Sequence, residues 1–222
     1  MADEPNDYSR YYALQRTLKT RVITRNHLPD AVTLVGGADV AYDEASNRMV
    51  GAIVVLDGSS LEVVETAYHE MDITFPYVPG LFSFREIPPL IAAFTNLSRK
   101  PEVIVCDGHG LAHPQGFGMA THLGVELQVP TVGCAKKRLC GAWRRDELGA
   151  ARGSTVPLHL ADAEIGKVLR TRAGVKPVFV SVGHKVDLTT ATDLVLRLCP
   201  KYRLPETTRR ADQLVNRLRK RS

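Results

Sequence analysis

Three stretches in the first third of the chain are rich in β-branched and apolar residues. TLVGGADVAY (33–42), RMVGAIVVLD (48–57) and EVVETAYHEM (62–71) follow one another with only DEASN and GSSL between them. Connections that short predict an antiparallel meander. Ahead of it, Leu14, Leu18 and Val22 recur every four positions, which predicts a helix over about 8–24 that ends before Pro29. Behind it, a proline-punctuated loop at 75–89 leads to a helix through LIAAFTNL and then to the strand VIVCD (103–107). A helix through FGMATHLGVELQ leads in turn to the strand TVGCAK (131–136), with Pro130 at the boundary. Strand, helix, strand at this spacing predicts parallel pairing with right-handed crossovers. Residues 142–175 show no clear period. KPVFVSVGHKVDL (176–188) predicts a strand or hairpin, and TTATDLVLRLC (189–199) a helix capped by Thr189 or Thr190. The expected class is α/β, a mixed sheet in which a three-strand antiparallel meander is continued by parallel strands and flanked by helices.

Composition changes this picture little. The 222 residues are 44% hydrophobic, enough to bury roughly 70% of the surface an unfolded chain would expose. No internal repeat or composition break divides the chain, so one domain over 1–222 is expected. No apolar run approaches the ~18 residues of a membrane span, and the polar start MADEPNDYSRYYALQ is unlike a signal core. A cytoplasmic protein without a membrane partner is expected. Cys106, Cys134, Cys140 and Cys199 fit neither a zinc pattern nor a disulfide framework. The net charge of +5 resides entirely in a basic tail at about 209–222, where six basic residues face Asp212 alone. Global charge therefore does not argue for a polyanionic partner; the tail could add non-specific phosphate attraction.

The chemistry-bearing residues stand at predicted strand ends. In VIVCDGHG, Asp107 follows four apolar strand residues, the position at which open α/β sheets place ligands. Asp39 lies inside the first predicted strand, where an unpartnered acid would cost several kcal/mol. A cation must compensate it, and both a metal ion and Lys136, at the end of TVGCAK, are candidates. Glu86 follows Arg85 in SFREIPP. Carboxylates gathered this way bind Mg²⁺ or Mn²⁺ through oxygen, and such ions activate water and neutralise phosphoryl charge. The competing interpretation is ordinary: a strand-end Asp as a turn residue, and Arg85 as an ion-pair partner of Glu86.

GGADVAY, FPYVPGLFSFREIPPL, VIVCDGHGLAHPQGFGMATHLG, VPTVGCAKKRLCG, SVGHKVDL and KYRLPETTR occur in this order, and together they resemble the endonuclease V family over about residues 33–210. The resemblance implies a ribonuclease H-like core and a Mg²⁺-dependent activity, with Mn²⁺ able to substitute. It implies hydrolysis of the second phosphodiester bond 3′ to an inosine, leaving 3′-hydroxyl and 5′-phosphate ends. Asp39, Asp107 and Glu86 then correspond to the metal-binding acids, and Lys136 to the lysine at the scissile phosphate. His113 and His184 match histidines near the active centre. Tyr77, between Pro76 and Pro79, corresponds to a strand-separating wedge. Phe82, beside the implied base pocket, is bulkier than the leucine expected there. Gly108, Gly110, Gly116 and Gly118 would let backbone amides approach a base edge, or else merely form turns. The expected partner is inosine-containing nucleic acid, DNA before RNA, in a repair role, cut by a monomer. The alternatives are an inosine-specific ribonuclease, a non-catalytic nucleic-acid binder on the same fold, and a thiol hydrolase using Cys134 or Cys140.

Overall fold

A computed structural model describes residues 7–220. The elements are α1 (Ser9–Lys19), β1 (Leu34–Asp43), β2 (Arg48–Asp57), β3 (Val63–Asp72), α2 (Ser83–Thr95), β4 (Val103–Cys106), α3 (Met119–Leu127), β5 (Thr131–Ala135), β6 (Thr155–Leu160), β7 (Ala163–Leu169), β8 (Val178–His184), α4 (Leu188–Arg197) and α5 (Glu206–Arg219). All eight strands form one sheet in the order β3-β2-β1-β4-β5-β8-β7-β6. The meander β1–β3 is antiparallel, β1, β4 and β5 are parallel, and β8 returns antiparallel to β5. The mixed α/β architecture expected from the alternation is therefore present. The stretch without a clear period holds the β6–β7 hairpin.

Side-chain alternation along the strands sorts the sheet into two covered faces. On one, Ala38, Ile53 and Val55 pack with Ile87 and Leu90 of α2 and with Met119 and Leu123 of α3. On the other, Ala41, Ala52 and Val54 meet Ala211, Leu214, Val215 and Leu218 of α5, while Val105, Val132 and Val180 meet Ala191 and Leu194 of α4.

Four expectations are corrected. Helix α2 begins at Ser83, inside the expected loop, and runs through Pro88 and Pro89. These prolines remove the helical partners of two preceding carbonyls, and the burial of Ile87, Leu90 and Ala93 offsets that loss. The cap of α4 is Asp187, whose side chain accepts from the Thr190 N–H at 2.8 Å, rather than either threonine. Helix α1 is shorter than the 8–24 expected, ending at Lys19. The basic segment expected as a tail is, through Arg219, part of α5, its apolar stripe packed on β1 and β2.

Candidate metal and nucleic-acid site

Asp39, the turn residue Asp107 and Lys136 share the side-chain parity of Val35, Val105 and Cys134, which face the α4–α5 layer. They thus end up on the same side of the sheet, Asp39 midway along β1 and level with the end of β4, Asp107 and Lys136 just beyond the ends of β4 and β5. Helix α5 is seated there by contact with β1 so close that a Cβ on Gly37 would lie 2.1 Å from the Thr207 carbonyl oxygen. One and a half turns along that helix, Asp212 reaches the same point. Carboxylate oxygens of Asp39, Asp107 and Asp212 lie within 4.8 Å of one another. Lys136 Nζ stands 2.5 Å from Asp107 Oδ2 and 3.5 Å from Asp212 Oδ1.

Three carboxylates and one ammonium leave this cluster short of positive charge. Burial, reinforced by the charge of Asp107, pushes the Asp39 carboxyl up to about 8, against one hydrogen bond accepted from the Val40 N–H. Burial works against the Lys136 cation, but its hydrogen bond to Asp107 and the charges of Asp107, Asp212 and Asp39 prevail and raise its pKa. A donor set of oxygens alone, with no thiolate or imidazole among them, fits a hard divalent cation such as Mg²⁺ or Mn²⁺. Such an ion would supply the missing charge.

Glu86 arrives from the opposite layer, on α2. Its Oε1 accepts a hydrogen bond from the Tyr42 hydroxyl at 3.0 Å, and the Arg85 guanidinium stacks 4.4 Å over the Tyr42 ring. Burial pushes the Glu86 carboxyl up to about 7, with the Tyr42 hydrogen bond opposing and the Asp107 charge adding. It is an acid held near neutrality beside the carboxylate cluster.

A cavity of about 280 Å³ opens next to Glu86 and Asp107. Tyr77, Pro79, Gly80, Phe82 and Ser83 form one wall, and Gly108, His109, His113, Gly118 and Met119 the other. Burial pulls His113 down to about 4, so it is neutral at physiological pH, and its Nδ1 accepts from the Gln115 N–H at 3.2 Å. Tyr77 is 67% exposed, whereas its neighbours Phe75 and Val78 are buried with Leu81 against the tyrosines of α1. The anchored residues hold the loop, and the ring projects from it.

Comparison with known proteins agrees with this geometry. The family model described as Endonuclease V matches residues 16–213. The chain belongs to the endonuclease V family. Over 206 residues it is 51% identical to the Endonuclease V of Streptomyces avermitilis, covering 92% of this chain and 89% of that one. The crystal structure of an Endonuclease V from the same organism matches with a TM-score of 0.93 at 49% identity, over 100% of this chain and 96% of that chain. The Ciona intestinalis Endonuclease V, crystallised in complex with a 23mer DNA containing an inosine followed by a ribo-adenosine, matches with a TM-score of 0.85 at 26% identity, over 100% and 99% of the two chains.

Within this endonuclease V fold, three expected site residues lie elsewhere. His184 pairs with Thr131, at the end of β5 opposite to Lys136. Five strand residues separate the two levels, roughly 16 Å, so His184 does not join the cluster of Asp39, Asp107, Asp212 and Lys136. It is fully buried, and its Nδ1 accepts from the Ile23 N–H at 3.2 Å. Gly110 does not line the cavity: its N–H donates to Ser181 Oγ at 2.9 Å, and a Cβ there would meet the Val182 carbonyl oxygen at 2.0 Å. Pro76 is exposed beside Tyr77 and lines no part of the cavity. Two residues of the site were missed by sequence reasoning. Asp212 was counted only as the lone acid in a basic run, although Ala211, Leu214, Val215 and Leu218 mark its helix as amphipathic. Tyr42 ends the motif GGADVAY and went unremarked.

Proposed function

We propose that this chain hydrolyses the second phosphodiester bond 3′ to an inosine, using Mg²⁺ or Mn²⁺, as one catalytic unit working as a monomer in the cytoplasm. The observation that carries this reading is the meeting of Asp39, Asp107 and Asp212 beside Lys136, with Asp107 also lining a base-sized cavity. Asp39, Asp107 and Asp212 would hold the ion, with Glu86 at its border. A divalent cation bound there supplies positive charge to the scissile phosphoryl group and acidifies water.

The chain's own groups account for the rest. Glu86, with its carboxyl held near neutrality, orients the attacking water and takes its proton. Oxygen from that water bonds to phosphorus as the phosphorus–O3′ bond breaks, leaving a 5′-phosphate on one strand end. Lys136 stabilises the charge developing on the departing O3′, which becomes the 3′-hydroxyl on protonation. Hypoxanthine differs from adenine in showing a C6 carbonyl acceptor and an N1–H donor. Gly108 and Gly118, with His113, line the cavity where that edge would be read. Phe82 narrows the opposite wall. A base enters such a cavity only after leaving its stack, at a cost of a few kcal/mol, and Tyr77 is placed to fill the vacated position.

Repair of deaminated DNA is the role this chemistry fits first; RNA carrying inosine offers the same base edge. Incubation of the full chain with end-labelled inosine and adenosine strands in Mg²⁺, with and without EDTA, tests the reading. Cutting one nucleotide beyond inosine's own 3′ linkage, abolished by EDTA, is expected. Inosine-independent cutting, or cutting that survives EDTA, would overturn it. Tyr77→Ala is expected to raise KM on inosine duplexes by about tenfold while changing single strands less than threefold, since only the duplex must be unstacked; kinetics on the two substrates check this, and equal losses would make the ring structural.

A further inference from the structure

The two walls of the cavity are tied together from behind by a helix that carries none of the site residues. On α1, Gln15 is 2% exposed. Its Nε2 donates to the Gly80 carbonyl at 2.7 Å and, more weakly, to the Phe117 carbonyl at 3.4 Å. Gly80 belongs to the wall that carries Tyr77; Phe117 directly precedes Gly118 on the other wall. One turn earlier on α1, the Tyr12 hydroxyl donates to the Pro79 carbonyl at 3.2 Å.

The Tyr77 loop needs this support. Gly80 has φ +82°, and nothing lies within 4 Å of where its Cβ would be. The Leu81 N–H, on the other side of the same peptide, donates to the Val78 carbonyl at 3.0 Å within the loop, and the bond from Gln15 to the Gly80 carbonyl ties that peptide to α1. The same helix packs Tyr11 on Phe75 at 4.8 Å and on Phe84 at 5.3 Å, one residue before the loop's Pro76 and two before Glu86. Leu18 buries against Phe117. A side-chain amide suits the task because it carries two N–H donors in one plane, one for each carbonyl. Removing it would leave two carbonyls without their partner at the edge of the cavity.

Resting on the proposed function, we propose that Gln15, with Tyr12, is a positioning residue that sets the gap between the Tyr77 loop and the Gly108–Gly118 loop, and so governs capture of the flipped base rather than bond cleavage.

Gln15→Leu and Gln15→Glu in the full chain test it, because leucine removes both donors and glutamate keeps the shape but donates to neither carbonyl when ionised. On an inosine duplex, both variants are expected to raise KM by about tenfold, the equivalent of one buried hydrogen-bond partner lost, and to keep kcat within about twofold. Amide exchange of residues 77, 78 and 80–82 should accelerate by about tenfold while that of β4 and β5 stays unchanged. Unchanged KM and unchanged exchange in folded variants would overturn the proposal, as would a fall in kcat with KM unmoved. If neither Gln15 variant folds, Tyr12→Phe decides, with about a threefold rise in KM and faster exchange of the same loop expected, and wild-type values contradicting it. If the wild type fails to cut inosine strands, the functional reading falls, and the strut stands or falls on the amide exchange alone.

Discussion

Asp107→Asn is expected to slow cleavage of an inosine strand in Mg²⁺ by at least about a thousandfold, the scale of losing electrostatic stabilisation at a reacting phosphoryl group. Asn keeps the shape of Asp107 but removes a formal charge from a cluster in which Asp39 and Asp212 lie within 4.8 Å. It also removes the closest counter-charge of Lys136, 2.5 Å away. The rest of the cavity lining, Tyr77 and the Gln15 strut are untouched, so binding of the inosine strand should stay within about threefold of the wild type, a change under 1 kcal/mol. Single-turnover cleavage and equilibrium binding, measured side by side, check both halves. A variant that cuts at the wild-type rate would remove Asp107 from the chemistry.

The second large effect is expected at a residue with no chemistry of its own. Gly37→Val would put a branched side chain where even a Cβ lies 2.1 Å from the Thr207 carbonyl oxygen and 2.8 Å from its Cα. Backbone cannot yield as a flexible side chain does, so α5 must lift from β1. Overpacking of this kind costs about 3 kcal/mol, which in a domain of this size is a fall in Tm of roughly 6–12 °C. Because α5 also delivers Asp212, the activity of the protein that remains folded should drop with it. Thermal melts and cleavage rates check the pair. Gly174→Ala provides the contrast: its φ is +70° but nothing lies within 4 Å of its Cβ position, so about 1 kcal/mol of backbone strain and no loss of activity is expected. Wild-type stability and activity in Gly37→Val would mean that α5 is not what completes the site.

These two residues also show what a one-dimensional pattern can carry. Asp107 and Lys136 were legible because each continues a strand whose apolar run and boundary glycine or proline are local features, and Asp39 because an acid inside an apolar strand demands a cationic partner; parallel pairing sets the three strands side by side. Strand parity then fixes their common side. Asp212 was hidden for the opposite reason: its place depends on where α5 docks, through Gly37 and Thr207, contacts about 170 residues apart that no local signal encodes. The count of arginines in the same segment drew attention to charge and away from the stripe Ala211, Leu214, Val215 and Leu218. His184 was misplaced because its motif says nothing of strand direction, and β8 runs antiparallel to β5. The hairpin β6–β7 escaped notice because it lies at the sheet edge, where Pro157 is tolerated and exposed charged residues break the alternation.

Divalent-metal binding by the full chain, followed by Mn²⁺ paramagnetic resonance without nucleic acid, tests the central claim most directly. The cage predicts Mn²⁺ binding that Mg²⁺ displaces and that Asp39→Asn, Asp107→Asn and Asp212→Asn each weaken by at least about tenfold, the loss of one charged oxygen ligand. Binding of equal strength in the wild type and all three variants, or none in the wild type, would contradict it.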